Sequence, residues 1–367
     1  ARLEEAGMDE PEALIREATR ACLDNLPGNP RFYTTSLAVA DLEAARQALG
    51  YSALNVYGVS YGTRVAQHYA RRYPDRVRTL IIDGVAPPEV PLGPNAALNA
   101  QRTLDRLFER CAADNACRTR FPDPASQLEI LIRRLETENV PVTVAHPVTG
   151  NATSIEVTLT HLLLTVRLMS YAPETARLIP LIVDEAARDG NYVPLASNAL
   201  RIEQELSGAI RFGMHNSVIC TEDAPFFGPL DLAALDTTYI GPRQTQSLIN
   251  ICKEWPSGPM DDDLRAPLTV DVPTLILSGE EDPITPPAYG DMADAALPNS
   301  LHLIGGGQGH GVIARGCIPT LASKFIDSGT LEGLETECVA RLTHSSFFLN
   351  LMGPVAASPT ARQDEAP

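Results

Sequence analysis

The stretch NVYGVSYGTRVAQHYARRYPDRV, from Asn55 to Val77, restricts the possible fold more than any other part of the sequence. An apolar run leads into Gly58, which opens the pattern Gly-x-Ser-x-Gly centred on Ser60, and a helical segment then stops at Pro74. The next apolar run, RTLIID, has the composition of a buried strand. The succession of strand, tight turn, helix and strand predicts a parallel βαβ unit.

Ser60 lies where a nucleophile elbow would place its serine. In such a turn the flanking glycines allow the strand and the helix to approach closely, and the turn lifts the serine hydroxyl clear of the sheet. The backbone N–H of Tyr61 would then form part of an oxyanion hole, helped by the dipole of the helix that begins there. A serine in an ordinary glycine-rich turn is the alternative interpretation.

Two α/β segments flank a long middle segment of mainly helical pattern. Apolar runs predict buried strands at 53–58, 78–83, 272–279 and 300–306. Helical periodicity predicts helices at 9–25, 35–49, 63–73, 95–138 and 160–210, the last with breaks at Pro173, Pro180 and Pro194. A turn-rich stretch at 141–158 looks β-like. We therefore expect sheet domain, helical cap, sheet domain and tail in succession, at 1–88, 89–267, 268–340 and 341–367. The tail ends in PVAASPTARQDEAP, which is expected to be disordered.

A serine nucleophile needs a base, and the base needs an orienting acid. In folds that carry their serine on such an elbow, the chain order is serine, acid and histidine. The acid is expected at Asp282, in LILSGEEDPITPP, and the base at His310, in the flexible glycine-rich loop GGGQGHGV. His68 is expected at the surface of the helix after the serine. An Asx-turn residue and a solvated loop histidine are the alternatives for Asp282 and His310, but three such residues in the right order favour a serine hydrolase.

The seven cysteines carry information about the compartment. No Cys/His set has zinc-ligand spacing, so neither a metal nor any other cofactor is expected. Pairing is plausible and would indicate an oxidising, exported setting, secreted or in the cell envelope. Cys22 would then be left over, which suggests a partner outside this chain. Seven unpaired thiols are the alternative that the spacing leaves open.

Charge and hydropathy exclude two classes of partner. The formal net charge of −17 argues against a nucleic-acid partner. No run of about 18 apolar residues is present, so a membrane-spanning helix is not expected. The acidic start, ARLEEAGMDEPEALIREATRACL, has no apolar core of a signal peptide.

Several stretches resemble α/β-hydrolases of the proline iminopeptidase and tripeptidyl aminopeptidase group, the TAP-like secreted peptidases. They are RFYTTSLAVADLEAARQALGY, NVYGVSYGTRVAQHYARRYPDRVRTLIIDGVAPP, RCAADNACRTRFP, VICTEDAP, LILSGEEDPITPPAYG and GGGQGHGV. The resemblance reaches to about residue 340. It implies an α/β-hydrolase fold and the triad of Ser60, Asp282 and His310. It also implies the disulfides Cys111–Cys117, Cys220–Cys252 and Cys317–Cys338.

The sequence departs from this group at its start. Family members carry an N-terminal half-sheet with an HGGPG-like oxyanion loop and a DQRG-like segment, and neither string occurs here. We therefore expect the N-terminal strands of the sheet to be missing, which would leave a bare sheet edge. Our hypothesis is that the chain is the larger piece of a nicked or separately supplied polypeptide whose other piece holds the disulfide partner of Cys22.

The resemblance implies that carboxylates of the cap hold the free N-terminal amine of the substrate. The best candidates are Glu222 and Asp223 in VICTEDAPFF, because an ammonium group that leaves water needs a neutralising charge. Helix N-terminal acids or a structural ion pair are the alternative for these two residues. Trp255 is expected in the core rather than in a pocket.

Three functions are compatible with these features. The first is an exported aminopeptidase that cleaves peptides at free N-termini through an acyl-enzyme. The second is a carboxylesterase on the same scaffold. The third is a non-catalytic binding protein or inactive fragment, because half of the oxyanion hole is absent from the sequence. The fold and the triad do not separate the first two.

Overall fold

A computed structural model of the chain describes residues 12–354, and six strands lie within this range. They are β1 Leu54–Val59, β2 Val77–Asp83, β3 Val140–Ala145, β4 Ala152–Val157, β5 Thr274–Gly279 and β6 Ser300–Gly305. Four of them form a parallel sheet in the order β1-β2-β5-β6, and β3 pairs with β4 in an antiparallel hairpin. Because the sheet strands are parallel, their carboxyl ends meet at one edge, where Val59 pairs with Asp83 and Asp83 with Leu277.

Helices cover both faces of the sheet. The helices α2 Thr35–Ala48 and α3 Tyr61–Arg72 lie before and after β1, and α14 Pro287–Ala296 and α15 Ile318–Ser328 follow β5 and β6. Helix α1 Glu12–Asp24 contacts the helix at Arg243–Cys252. Residues of α2, α3 and α14 pack with Leu80, Ile82 and Ile276 on one face. Residues of α15 pack with Ile81, Leu275 and Leu277 on the other. Burial on both faces explains why β2 and β5 read as continuous apolar runs.

Strand β1 differs from the expectation of a fully buried strand. Its burial alternates, and Tyr57 and Val59 are exposed by 46% and 39%. The reason is its position at the edge of the sheet, where only the side facing α2 and α3 is covered, so that Val56 is partly buried there while its neighbours point to solvent.

Residues 84–273, which we call the insertion, connect β2 to β5 and hold most of the remaining helices. These are α4 Pro94–Ala113, α5 Asn115–Arg120, α6 Pro124–Leu135, α7 Leu159–Met169, α8 Pro173–Ala176, α9 Ile179–Arg188, α10 Val193–Ala209, α11 Phe212–Val218, α12 Leu232–Asp236 and α13 Arg243–Cys252. A π-helical turn spans Ile219–Asp223, and short 3-10 turns lie at Pro30–Phe32, Pro74–Arg76, Ala224–Phe226 and Thr336–Arg341. The insertion has a hydrophobic core whose residues run from Ala97 to Ile240, and Phe347 of the C-terminal segment packs into it.

The three prolines expected to break the helical pattern of the insertion begin helices. Pro173 is the first residue of α8, and Pro180 and Pro194 are the second residues of α9 and α10. Proline suits these positions because the N–H groups of a first helical turn have no intrahelical partner. The β-like stretch at 141–158 forms the hairpin of β3 and β4.

Three disulfides tie the chain: Cys111–Cys117, Cys220–Cys252 and Cys317–Cys338. Cys22, on α1, has a free thiol that is partly buried. Within residues 12–354, no helix combines the length and the apolar character needed to cross a bilayer. The final proline- and alanine-rich segment, expected to be disordered, lies almost wholly outside the described residues.

Candidate active site

Ser60 occupies a strained turn between β1 and α3. Its φ is 56°, and it is the one non-glycine residue with positive φ in the described part of the chain. A Cβ on Gly58 would lie 2.2 Å from the carbonyl oxygen of Gly62, so the close approach of strand and helix requires glycine at Gly58. A Cβ on Gly62 would meet no described atom within 4 Å, so our expectation that steric approach requires glycine there is wrong.

Asp282 and His310 are joined by a direct hydrogen bond. The Nδ1 of His310 lies 2.7 Å from Oδ2 of Asp282. The buried carboxylate also accepts hydrogen bonds from the backbone N–H groups of Ile284 and Thr285, both at 2.9 Å, and from the Thr285 hydroxyl at 2.8 Å. These donors fix the carboxylate, and the carboxylate in turn holds the imidazole with Nε2 free to accept a proton.

The loop that carries His310 is held at several points, in contrast to the flexible loop expected. The N–H of His310 donates to the carbonyl of Tyr171 at 2.8 Å, and the Tyr171 ring contacts the imidazole edge-on. The N–H of Gly307 donates to Oε2 of Glu280 at 2.8 Å. A Cβ on Gly279 would lie 1.8 Å from the Gly309 carbonyl, so the end of β5 and the loop are in direct contact.

Ser60 follows β1 and His310 follows β6, both at the carboxyl-terminal end of the sheet, but the two side chains are not hydrogen-bonded. Among residues 12–354, neither the Oγ of Ser60 nor the Nε2 of His310 has a hydrogen-bond partner. Such contacts often form only when substrate is bound. Burial disfavours the imidazolium form of His310, but the hydrogen bond and charge of Asp282 outweigh it, so the pKa of His310 is raised.

A cavity of about 380 Å³ opens beside the serine. Ser60 and Tyr61 form one wall, and Tyr61 is the first residue of α3, so its N–H has no intrahelical partner. Thr285 and residues of the insertion form the rest. The volume is in the range of small-molecule and peptide sites.

Two family models match the chain, one before and one after the middle of the insertion. Residues 19–141 match the model described as alpha/beta hydrolase fold, and residues 237–338 match that of TAP-like protein. The chain is a TAP-like α/β hydrolase. This agrees with the parallel sheet, the elbow at Ser60 and the family resemblance of the sequence.

Known proteins similar to this TAP-like hydrolase include two named peptidases. Serine protease Hip1 of Mycobacterium tuberculosis is 37% identical over 114 residues, 30% of this chain and 22% of that protein. Tripeptidyl aminopeptidase of Streptomyces lividans is 37% identical over 75 residues, 20% of this chain and 14% of that protein. The putative hydrolase YuaR of Escherichia coli is 35% identical over 28% of this chain and 22% of that protein. The match therefore spans less than a quarter of each relative.

A solved esterase from Thermogutta terrifontis aligns with 86% of this chain and 83% of its own, at 18% identity. Its TM-score is 0.34, which is too low to support an inference about function.

Glu222 is fully buried behind the Tyr61 side chain. Its Oε1 accepts the N–H of Thr35 at 2.6 Å, and its Oε2 accepts the Thr35 hydroxyl at 2.7 Å. The same hydroxyl lies 2.7 Å from the Tyr61 hydroxyl. Burial raises the pKa of Glu222, against the effect of the two bonds from Thr35. Glu222 is thus linked to the cavity through Tyr61 and Thr35 and is not among the residues that line it.

Asp223 is engaged in an ion pair inside the protein. Both of its oxygens contact Nη1 of Arg64, at 2.9 and 3.0 Å, and Oδ1 accepts the N–H of Leu92 at 2.8 Å. Arg64 and Asp223 are almost completely buried. This is the structural ion pair considered above as the alternative, and it leaves the charge of Asp223 balanced.

Two other residues lie away from the cavity. His68 is buried rather than at the surface, because the segment after α13 covers α3 and places Asp261 Oδ2 at 2.8 Å from its Nε2. Burial lowers the pKa of His68. Trp255 is buried and donates to the hydroxyl of Ser217 at 3.1 Å, as expected for a core residue.

One group of possible metal ligands occurs in the described range. Ligand atoms of Glu280, Glu281 and His344 lie within 4.8 Å of one another. The guanidinium of Arg110 is 3.8 Å from Glu281, and the N–H of Gly307 occupies Glu280. Protein groups therefore already balance part of the negative charge of the two carboxylates, and we assign no metal to this group.

Asp83, at the end of β2, is a residue beside the His310 loop that sequence reasoning missed. Its buried carboxylate accepts the N–H of Val312 at 2.8 and 2.9 Å and the N–H of Ile313 at 2.8 Å. These residues follow His310 by two and three positions, so Asp83 is a positioning residue for the histidine loop. The only signal in the sequence is a charged residue that closes the apolar run RTLIID.

We expect Asp83→Asn to change hydrolysis in two ways. The loop loses charge-assisted hydrogen bonds, and misplacement by about 1 Å lowers kcat/KM by about a hundredfold. The negative charge of Asp83 also raises the pKa of His310. Its removal therefore favours the neutral base and moves the acid limb of the kcat/KM pH profile to lower pH.

The matched control is Asp184→Asn, which alters a buried carboxylate paired with Arg120 and Arg188 away from the cavity. This variant should keep the pH profile of the parent. An unchanged rate and an unchanged acid limb in Asp83→Asn would contradict the positioning role.

Proposed function

We propose that the protein is a serine hydrolase that cleaves peptides at free N-termini, as a peptidase of the tripeptidyl aminopeptidase type. Ser60 attacks the scissile carbonyl while His310 takes its proton, and Asp282 stabilises the imidazolium that forms. The N–H of Tyr61 stabilises the oxyanion, His310 returns the proton to the leaving amine, and water then hydrolyses the acyl-enzyme.

The observation that carries the proposal is the pair of Asp282 and His310, 2.7 Å apart, at the sheet edge where Ser60 stands on a positive-φ turn. A buried acid that orients a histidine, at the same end of the sheet as a serine on a strained turn, is the arrangement that acyl transfer requires. The names of the two peptidase relatives support peptides as the substrate class.

Selection of a free amine is the finer part of the proposal, and Glu222 is its candidate. Asp223 is already neutralised by Arg64, whereas no cation is hydrogen-bonded to the carboxylate of Glu222 among the described residues. Nη1 of Arg265 donates to the backbone carbonyl of Glu222 instead, at 2.9 Å. A carboxylate has about four lone-pair positions, of which Thr35 uses two. The amine would reach Glu222 by displacing the Tyr61 side chain from Thr35.

A specific observation favours carboxylesterase activity as the second candidate. The residues that line the cavity include no aspartate or glutamate. An ammonium group bound there would lose water without a neutralising charge, which is unfavourable. A neutral ester has no such requirement.

Paired kinetics separate the two candidates. We expect a tripeptide anilide with a free N-terminus to turn over at least about tenfold faster in kcat/KM than its acetylated form, because one charge-assisted contact is lost. A simple acyl ester is measured in parallel, with Ser60→Ala as the blank. Equal or faster turnover of the acetylated peptide, or of the ester alone, would establish the esterase alternative instead.

Glu222→Gln identifies the amine site in the same assay. It should abolish the preference for the free amine by raising KM for that substrate, with little change for the acetylated one. Glu203→Gln, on the exposed side of α10, is the matched control and should keep the preference.

The three disulfides support an exported location, in the envelope or outside the cell, because such bonds persist in oxidising compartments. We also propose that the chain divides into a sheet domain and a cap that covers the site. A disulfide partner for Cys22 on another segment stays a prediction.

A further inference from the structure

The charged side chains of the active-site cavity all have the same sign. Arg167 and Arg211 line it, and no carboxylate does. This is unexpected in a chain with a formal net charge of −17. Both arginines come from the insertion, whereas Ser60 and Tyr61 come from the turn after β1.

Arg167 lies near the end of α7 and is held by a neighbour rather than by an acid. Its Nη1 donates to the side-chain oxygen of Gln244, on α13. Within residues 12–354, no carboxylate forms an ion pair with Arg167, and its Nε and Nη2 have no hydrogen-bond acceptor. A guanidinium has five N–H donors in a planar fork, so most of them stay available in the cavity.

Arg211 follows α10 and has a similar environment. Its Nη1 donates to the backbone carbonyl of Gly208 at 3.2 Å. No ion pair with a carboxylate is found for it in the described part of the chain. Other arginines of residues 12–354 do pair with a nearby acid, as Arg201 does with Glu205 on the neighbouring turn of α10.

The rest of the lining strengthens the effect of these two cations. Many of its side chains are apolar: Ala86, Leu92, Ala96, Met214, Val218, Ile219, Leu248 and Ile284. An anion bound among them is less well screened than in water, so its attraction to a guanidinium is larger. The planar fork of arginine also matches a carboxylate in geometry.

We propose that Arg167 and Arg211 bind a carboxylate of the substrate, so that the enzyme prefers acidic peptides or acyl groups with a carboxylate. The proposal rests on the proposed function, since it takes the cavity beside Ser60 as the substrate site. The carboxylate comes either from an acidic side chain or from the C-terminus of a short peptide. Gln244 positions Arg167 for this contact.

Binding to Ser60→Ala tests the proposal without dependence on turnover. The probes are three tripeptide amides with Glu at the first, second or third position and Ala elsewhere, each beside its Gln counterpart. Trialanine as free acid and as amide tests the C-terminal source. Dissociation constants come from isothermal titration calorimetry. For at least one pair, we expect the carboxylate form to bind about tenfold to a hundredfold more tightly, with the difference decreasing at high salt.

Arg167→Met and Arg211→Met should each reduce this difference, and the double variant should remove it. Arg201→Met removes the same charge from the surface and should leave the difference unchanged. Arg211 is exposed, so its substitution tests the proposal even if Arg167→Met folds poorly. Thermal melting and circular dichroism check each variant.

The outcomes also separate this proposal from the proposed function. Equal binding of every carboxylate and neutral pair would overturn the anion site, and so would a preference that persists in the double variant. Ser60-dependent turnover of the neutral peptides would uphold the hydrolase in either case. A carboxylate preference in binding, without any Ser60-dependent turnover, would uphold the anion site and refute the proposed reaction.

Discussion

Ser60→Ala is expected to reduce peptide or ester hydrolysis by about a millionfold in kcat, to the level that binding and the oxyanion donor alone provide. The loss follows because the alanine has no oxygen to form the acyl-enzyme, while the Asp282–His310 pair stays intact. The fold should not change, because Ser60 Oγ makes no hydrogen bond in the described structure. The measurement is steady-state kinetics on the best substrate, with melting temperature as a check on folding.

A fluorophosphonate probe gives an independent readout of the same residue. It should label the parent at Ser60, with loss of fluoride, and mass spectrometry should place the adduct on the peptide that contains NVYGVSYGTR. Ser52→Ala, at the exposed start of the same strand region, is the matched control and should be labelled normally. Labelling that persists in Ser60→Ala, or full activity of that variant, would refute the assignment of the nucleophile.

Arg64→Met is expected to reduce the free energy of unfolding by about 3–5 kcal/mol. The substitution leaves Asp223 buried with a single backbone N–H, from Leu92, in place of a guanidinium that contacts both oxygens. It also removes the contact of Nη2 with the carbonyl of Val90, at 2.9 Å. Because Arg64 is on α3 and Asp223 is in the insertion, the substitution should weaken the packing of the insertion on α3. Urea unfolding with intact disulfides measures it.

Two further variants show whether the buried charge is the cause. In the double variant Arg64→Met and Asp223→Leu, both charges are absent, and most of the lost stability should return. Arg201→Met, which breaks a surface pair with Glu205, should change the unfolding free energy by less than about 0.5 kcal/mol. A double variant as unstable as Arg64→Met would mean that shape or the contact to Val90, rather than the unpaired charge, determines the effect.

The elements that the sequence predicts well are those determined by neighbouring residues. The elbow at Ser60, the strands that follow it and the helices near 35–48 depend on periodicity and on turn residues within one short stretch. The family model for the α/β hydrolase fold confirms that assignment. The sequence predicts Asp282 and His310 because each follows a strand, in the chain order serine, acid and histidine.

The residues that the sequence did not indicate depend on contacts between distant segments. Asp83 meets the N–H groups of Val312 and Ile313 across 229 and 230 positions, and Arg64 meets Asp223 across 159. Neither partner carries a local pattern that marks the contact. For the same reason, Asp223 could be identified as a paired acid, rather than a free one, only after the insertion had been placed against α3.

The backbone at Ser60 also limits which nucleophile could ever replace the serine. At a φ of 56°, a β-branched residue is crowded by its own backbone, so threonine is unsuited to this turn. Cysteine has the same branching as serine and fits without new strain. A single substitution in evolution or in the laboratory can therefore replace the Ser60 hydroxyl by the thiol of cysteine. The secondary alcohol of threonine would fit only if the backbone of the turn also changed.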